Sequence, residues 1–479
     1  MKKIFGGIVL GAGLLLLVIV LNCGGGGGSN NPVTNTGTVN LSITDPPICK
    51  SPNGSIDNVW VTITRVRAHI SDNAAPNDGG WVDLLDLRNA PRQIDLLNLD
   101  STTCVLTQLG STSGLPAGQY QQIRLYLLSN SPAPGEVTPS ASDNKCGASG
   151  YNCVVSGSTT VTLNLSSEAR TGIKIPSGQI AGGKFTVLGG QSVDLNIDFD
   201  ACSSIVRQGN GQYRLKPVLH AGEVALNNNS INGRVVEIVN GASGPIPVPI
   251  PNAVVLVEKR ESLSSNVDRV LMQKTTDQYG RFIFCFLPSA TGSYDIVAAA
   301  TNTSATYNAT VALSVPLGTN MGDIPLVPEV GGSTPAQING QITSALNSVD
   351  ISLSALQAVG GGNPLIVTIP LFEGSTPNTT TAAGACPAGT VCANYTLNVP
   401  ASNPQVGTFS VTPPTAYTAP APAPVHYWVN AQAFVPSPGS GGDCTPPSLP
   451  STFTTTTQIE VNATSITNHD ISFTGCDGP

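Results

Sequence analysis

The chain has 479 residues, a formal net charge of −8, only 10% charged and 5% aromatic residues, and 51 glycines and 38 prolines; that length suits about three domains of ordinary size. Lys and Arg stop at Arg281, while acids continue through Asp295, Asp323, Glu329, Asp350, Glu373, Asp443, Glu460, Asp470 and Asp477. A part without cations cannot neutralise phosphates, which excludes nucleic-acid binding there. Abundant Val, Thr, Ser and Asn beside Gly and Pro favour short strands and turns, so the expected fold class is all-β, with several β-sandwich-like modules in tandem.

Lys2 and Lys3 precede an uncharged apolar run from Ile4 to Leu21, followed by Asn22, Cys23 and the glycines Gly24 to Gly28. A positive end, an apolar core and a cut site make residues 1–22 a signal peptide. An uncleaved membrane anchor is the competing reading, since the run is nearly long enough to span a bilayer. Val20 to Cys23 resembles the lipobox of bacterial lipoproteins. The resemblance implies a diacylglycerylated Cys23 at the mature N-terminus, although Asn22 stands where that family usually has Gly, Ala or Ser. Residues 23–36 then form a lipidated Cys and flexible tether. Gly24, where retained lipoproteins carry Asp, implies by the same resemblance the outer membrane, on its periplasmic or its surface face. The expected partners are the membrane through that lipid, then cell-surface proteins or polysaccharide.

The first module spans 37–224. Strands are expected over Gly37–Asp45, ended by Pro46 and Pro47, which cannot donate to a ladder. Others follow at Val59–Ile70, Gly80–Leu85, Tyr120–Leu128, Thr159–Leu165, Gly183–Val187, Ser192–Phe199 and Tyr213–His220. These segments resemble a bacterial family known as domain of unknown function 4382. The residues that carry the likeness are Leu41 to Pro46, Val61 to Val66, Gly80 with Trp81, Ile94 to Leu97, Leu115 to Tyr120, Ile123 to Leu125, Ile197 to Asp200 and Leu215 to Pro217. It implies an architecture and an address, with no chemistry attached.

Asp194, Asp198 and Asp200 alternate, so on a strand they share one face. Oxygen ligands so clustered are a candidate Ca²⁺ site; the plainer reading is a solvated strand face backed by Leu195, Ile197 and Phe199. Apart from that cation no cofactor is expected. Trp81, beside Asp78, Gly79 and Gly80 at a loop edge, is the candidate platform for a sugar ring, against ordinary core packing. Trp60 and the Tyr427 and Trp428 pair are weaker candidates.

The second module spans 230–327. Ile231 to Val235, Ile250 to Val257, Thr275 to Phe284 and Gly292 to Val297 resemble the carboxypeptidase regulatory-like, or transthyretin-like, β-sandwich, of a carbohydrate-binding-like fold. In that family Asp277 and Gly280 form the turn before a core strand on which Phe282 and Phe284 point inward. The third region, 333–479, opens with Gln337 to Ile342, an echo of Ser230 to Val235 that suggests a diverged second sandwich. Its expected strands are Leu365–Phe372, Tyr395–Val399, Thr408–Thr412, His426–Val435 and Gln458–Ile466, with Pro-rich surface loops at 413–424 and 436–450. A partly disordered tail is the competing picture.

Ten cysteines remain after Cys23, an even number that in an exported chain reads as disulfides. Cys146 with Cys153 and Cys386 with Cys392 lie close enough to staple local loops. Cys444 with Cys476 and Cys49 with Cys104 are further candidates, and Cys202 and Cys285 have no evident partner. The four histidines are scattered, and no nucleophile elbow, zinc motif, phosphate loop or dinucleotide fingerprint occurs. The expectation is therefore a non-catalytic envelope lipoprotein for adhesion, scaffolding or envelope assembly. A carbohydrate-binding array and an uncatalogued secreted hydrolase are the alternatives.

Overall fold

The computed structural model describes residues 35–44, 56–98, 107–165, 168–207, 212–224, 230–242, 244–260, 266–285, 287, 293–329, 332–345, 350–360, 364–412, 414–419, 424–434, 451–454, 459–462 and 465–473. Among them strands account for almost all regular structure, in several sheets. In the first domain the strand Thr36–Thr44 lies between Ser192–Phe199, which is parallel to it, and Thr107–Pro116, which is antiparallel. Leu219–Glu223 closes this four-stranded sheet. The facing sheet is organised by the long strand Asn58–His69, which pairs along its length with Val82–Asp86, Arg92–Asp95, Gln122–Leu127 and Cys153–Ser156. Val39, Leu41 and Ile43 from one sheet and Val59, Val61 and Ile63 from the other are fully buried between them, as period-two alternation requires.

The next sheet holds Ile231–Gly241 between Arg281–Phe284 and Thr319–Leu326, with Gly244–Pro249 as its edge. The turn ahead of Phe282 has its expected form. Asp277 Oδ1 accepts from the backbone of Tyr279 and of Arg281, both at 2.8 Å, and Gly280 takes φ 72°, where a Cβ would meet the Val235 carbonyl at 2.4 Å. Pro245, Pro247 and Pro249 stand opposite Asn240, Ile238 and Val236. Having no N–H, they leave the ladder bonds to Ile246 and Val248 and turn donor-free positions to the open edge, which discourages addition of another strand.

A third sheet runs Asp268–Thr275, Val254–Arg260, Tyr294–Ala299, Thr310–Val315 and finally Gln405–Thr408. The last strand comes from the C-terminal region and pairs in parallel with Thr310–Val315. Both faces of this sheet are buried. Val255, Val257, Ile296 and Ala298 pack into the core shared with the preceding sheet. Val254, Leu256, Val297 and Ala299 pack instead against Ile338, Ile351, Leu353, Val367 and Tyr427 of the C-terminal region. Residues 230–329 and 332–473 are therefore joined by a common layer. The strand expected at Thr408–Thr412 is displaced to Gln405–Thr408, because the pairing partner of this segment is a strand of the second unit.

The echo between Ser230–Val235 and Gln337–Ile342 is structural. Ile231–Gly241 and Ala336–Ser344 each have both antiparallel and parallel partners: two antiparallel and one parallel for the first, one antiparallel and two parallel for the second. Gly233 lies opposite Phe282, and Gly340 opposite Tyr395. A Cβ on Gly340 would sit 1.9 Å from the His469 carbonyl, whereas on Gly233 its nearest neighbour is the tip of the Phe282 ring at 3.0 Å. Gly340→Ala is expected to cost about 1–3 kcal/mol, the usual scale of overpacking, and Gly233→Ala distinctly less. Urea unfolding of the full chain measures both.

Candidate functional site

The alternating carboxylates of Ser192–Phe199 separate along the strand. Asp194 is exposed and accepts from Asn40 Nδ2 at 2.7 Å. From Asn196 onward the face is buried, which corrects the expectation of a solvated one. Asn196 donates to Thr44 Oγ1 at 3.0 Å, and Thr44 Oγ1 donates to Asp198 at 2.9 Å. The cover is the second unit. Lys274 Nζ lies 3.8 Å from Asp198 Oδ1, and the backbone N–H of Gln273 donates to Asp200 Oδ2 at 3.3 Å. His220, the cross-strand neighbour of Asp198, is buried. Burial pushes its imidazole below the ordinary value against the pull of Asp198. The salt-bridge partner of Asp198 is Lys274. Among the described residues no group of three or more His, Cys, Asp or Glu is arranged to hold a metal ion.

A second polar junction joins the second unit to the C-terminal region. Glu258, wholly buried, accepts from the Thr368 backbone at 3.1 Å and faces Asp295 across the ladder. Asp268, also buried, is salt-bridged to Arg260 at 3.1 Å, with the Asp295 carboxyl as a neighbour. Burial and the neighbouring carboxyl push Asp268 up to about 8 despite Arg260; burial likewise raises Glu258 well above the carboxylate range. Nearby, Arg269 donates to Asn430 Oδ1 at 3.1 Å and Asn266 to the Pro364 carbonyl at 2.9 Å. The first domain reaches the C-terminal region directly as well, where Lys216 donates to the Ser352 hydroxyl and to Asn378 Oδ1. None of these junction residues forms a sequence motif. The available signal was charge at the rim of an apolar run, as in Val254 to Glu258.

Trp81 is half-buried, and its indole N–H donates to the Ala75 carbonyl at 2.9 Å. The guanidiniums of Arg67 and Arg124 lie over its ring at 5.3 and 5.5 Å, and His69 packs 5.1 Å away, so the ring is engaged by its own domain. Trp60 and Trp428 are half-buried strand residues, and Tyr427 is fully buried, donating to the Pro400 carbonyl at 2.9 Å. Disulfides join Cys146 to Cys153 and Cys386 to Cys392, as the spacing predicts. Cys285, for which the sequence offers no partner, is also disulfide-bonded. Cys23, Cys49, Cys104, Cys444 and Cys476 lie outside the described residues, and no helix among those described is long and apolar enough to cross a membrane.

Such an arrangement defines a multi-sheet β protein with charged groups buried at its internal joints. Residues 36–217 match the family model "Domain of unknown function (DUF4382)", so the first unit is a DUF4382 domain. No curated protein matches the chain. Among solved structures it is similar to a variant of the shaft pilin SpaA from Lactobacillus rhamnosus GG, at 10% identity over 62% of this chain and 98% of that one, with a TM-score of 0.16. It is also similar to a candidate cell adhesion protein from Bacteroides ovatus, at 12% identity over 51% and 91%, with a TM-score of 0.15. At these values the function has to be argued from the chain's own residues.

Asp268 carries a pH dependence of definite sign. A carboxyl raised from 3.8 to about 8 on folding contributes stability in full below about pH 4, and that contribution drains away as the pH rises towards 8. The melting temperature of the full chain is expected to fall across that window, and Asp268→Asn to flatten the fall. Peptide mapping without reductant is expected to return Cys146 linked to Cys153 and Cys386 linked to Cys392.

Proposed function

We propose that the chain is a non-catalytic envelope protein with an adhesion, scaffolding or envelope-assembly role, held to the outer membrane by a lipid on Cys23. The observation that carries this reading is the joining of the units. A sheet buried on both faces and two polar junctions make successive β units into one support, which suits display at a distance from a membrane. The export signal and lipobox-like run, the Gly-rich tether and the disulfides of an oxidising compartment support the same reading.

In cells fed a labelled fatty acid, the full chain is expected to carry the label in the membrane fraction. Cys23→Ala is expected to lose the label and leave that fraction. Deletion of the chain is expected to reduce surface attachment or envelope integrity, and restored Cys23 protein to recover it, while the purified chain turns over no ester, peptide or glycoside substrate. Unlabelled wild-type protein would refute the anchor, and turnover of any of these substrates would refute the non-catalytic role.

A further inference from the structure

The DUF4382 domain has an open cleft of about 630 Å³ that takes no part in either junction. Its base is the strand pair Asn58–His69 and Gln122–Leu127, on which Arg65 and Tyr126 are direct cross-strand neighbours. The Tyr126 ring packs against Gly172, where a Cβ would fall 2.9 Å from the ring, so a side chain there would displace it. Tyr126 is half-buried, and its hydroxyl has no partner among the described residues. A loop through Ser131 and Glu136 forms one wall, and the turn at Arg88 and Asn89 another.

Three arginines, Arg65, Arg88 and Arg170, are among the residues that line this space. Arg65 is held by Asp83 at 2.6 and 2.8 Å, and Arg88 by Asp86 at 2.9 and 2.6 Å. Neither aspartate lines the cleft. Arg170 is exposed and has no partner among the described residues, so its planar fork is free to take a carboxylate with two parallel hydrogen bonds. The lone lining acid, Glu136, is occupied with the Ala133 N–H of its own loop at 2.8 Å. In a chain of net charge −8, Arg170 is the unneutralised cation among the residues that line this cleft.

We infer that this cleft binds an acidic saccharide: the C–H face of a pyranose stacks on Tyr126, its carboxylate is taken by Arg170, and its hydroxyls meet Asn89, Ser131 and Arg88. Tyr126 supplies the amphipathic ring surface, and the surrounding hydroxyl and amide groups supply hydrogen bonds for the sugar hydroxyls. The binding is independent of the scaffold role, because it is read on purified protein without cells.

The test is calorimetric titration of the detergent-solubilised full chain with oligogalacturonate, its methyl ester, poly-glutamate and dextran sulfate. Oligogalacturonate is expected to bind, the methyl ester about tenfold or more weakly, and poly-glutamate and dextran sulfate weakly or not at all. Arg170→Ala, at an exposed position that leaves folding intact, is expected to weaken oligogalacturonate binding about tenfold. Tyr126→Ala should do the same while Tyr126→Phe keeps the ring and most of the affinity, and Lys145→Ala, at an exposed lysine of the same domain that does not line the cleft, should change nothing. The inference is overturned if oligogalacturonate does not bind, if Arg170→Ala binds it as wild type does, or if poly-glutamate or dextran sulfate binds equally well.

Discussion

Burial of the sheet Asp268–Thr275, Val254–Arg260, Tyr294–Ala299, Thr310–Val315 and Gln405–Thr408 on both faces is the constraint from which the rest of the architecture follows. A sheet with one wet face needs apolar residues only at every second position, whereas this one needs them at all. Val254 to Val257 and Ile296 to Ala300 meet that demand as continuous apolar runs. Removing the C-terminal region would strip cover from Val254, Leu256, Val297 and Ala299, so the second unit has no complete core of its own.

Polar groups at the two junctions complement this apolar layer. A buried ion pair such as Asp198 with Lys274, or Asp268 with Arg260, recovers little net stability once desolvation is counted. What such groups do is punish misplacement, because an unpaired buried charge costs far more than a mismatched methyl. The apolar faces bring the units together, and the junction groups select one registration of unit on unit.

Much of the fold was legible in the residues, and the reasons for success and failure differ. Alternation exposed Thr36–Thr44, Asn58–His69 and Ser192–Phe199, because each has one core face. The Asp277 and Gly280 turn was expected from the resemblance to the carboxypeptidase regulatory-like sandwich, and it forms. Gly244–Pro249 was not expected as a strand, since three prolines argue against a ladder; only pairing from one edge makes them tolerable. Two of the local disulfides could be read from spacing, but the bonded state of Cys285 could not. The site residues fared worst. Asp198 and Asp200 stood out as a ligand cluster, and what decides their role is Lys274 and Gln273 some seventy positions on, brought to them only by the docking of the second unit.

The shared layer also has a mechanical meaning. Consider the chain held at its beginning and pulled from its far end by flow or by an attached body. Arrays of self-contained domains lengthen under such tension by releasing one domain at a time. Here the parallel contact between Thr310–Val315 and Gln405–Thr408 ties distant stretches of chain together, so strands must slide past one another before either neighbour can give way. The second and C-terminal units would then resist as a block and yield together, a stiff mount in place of an extensible leash.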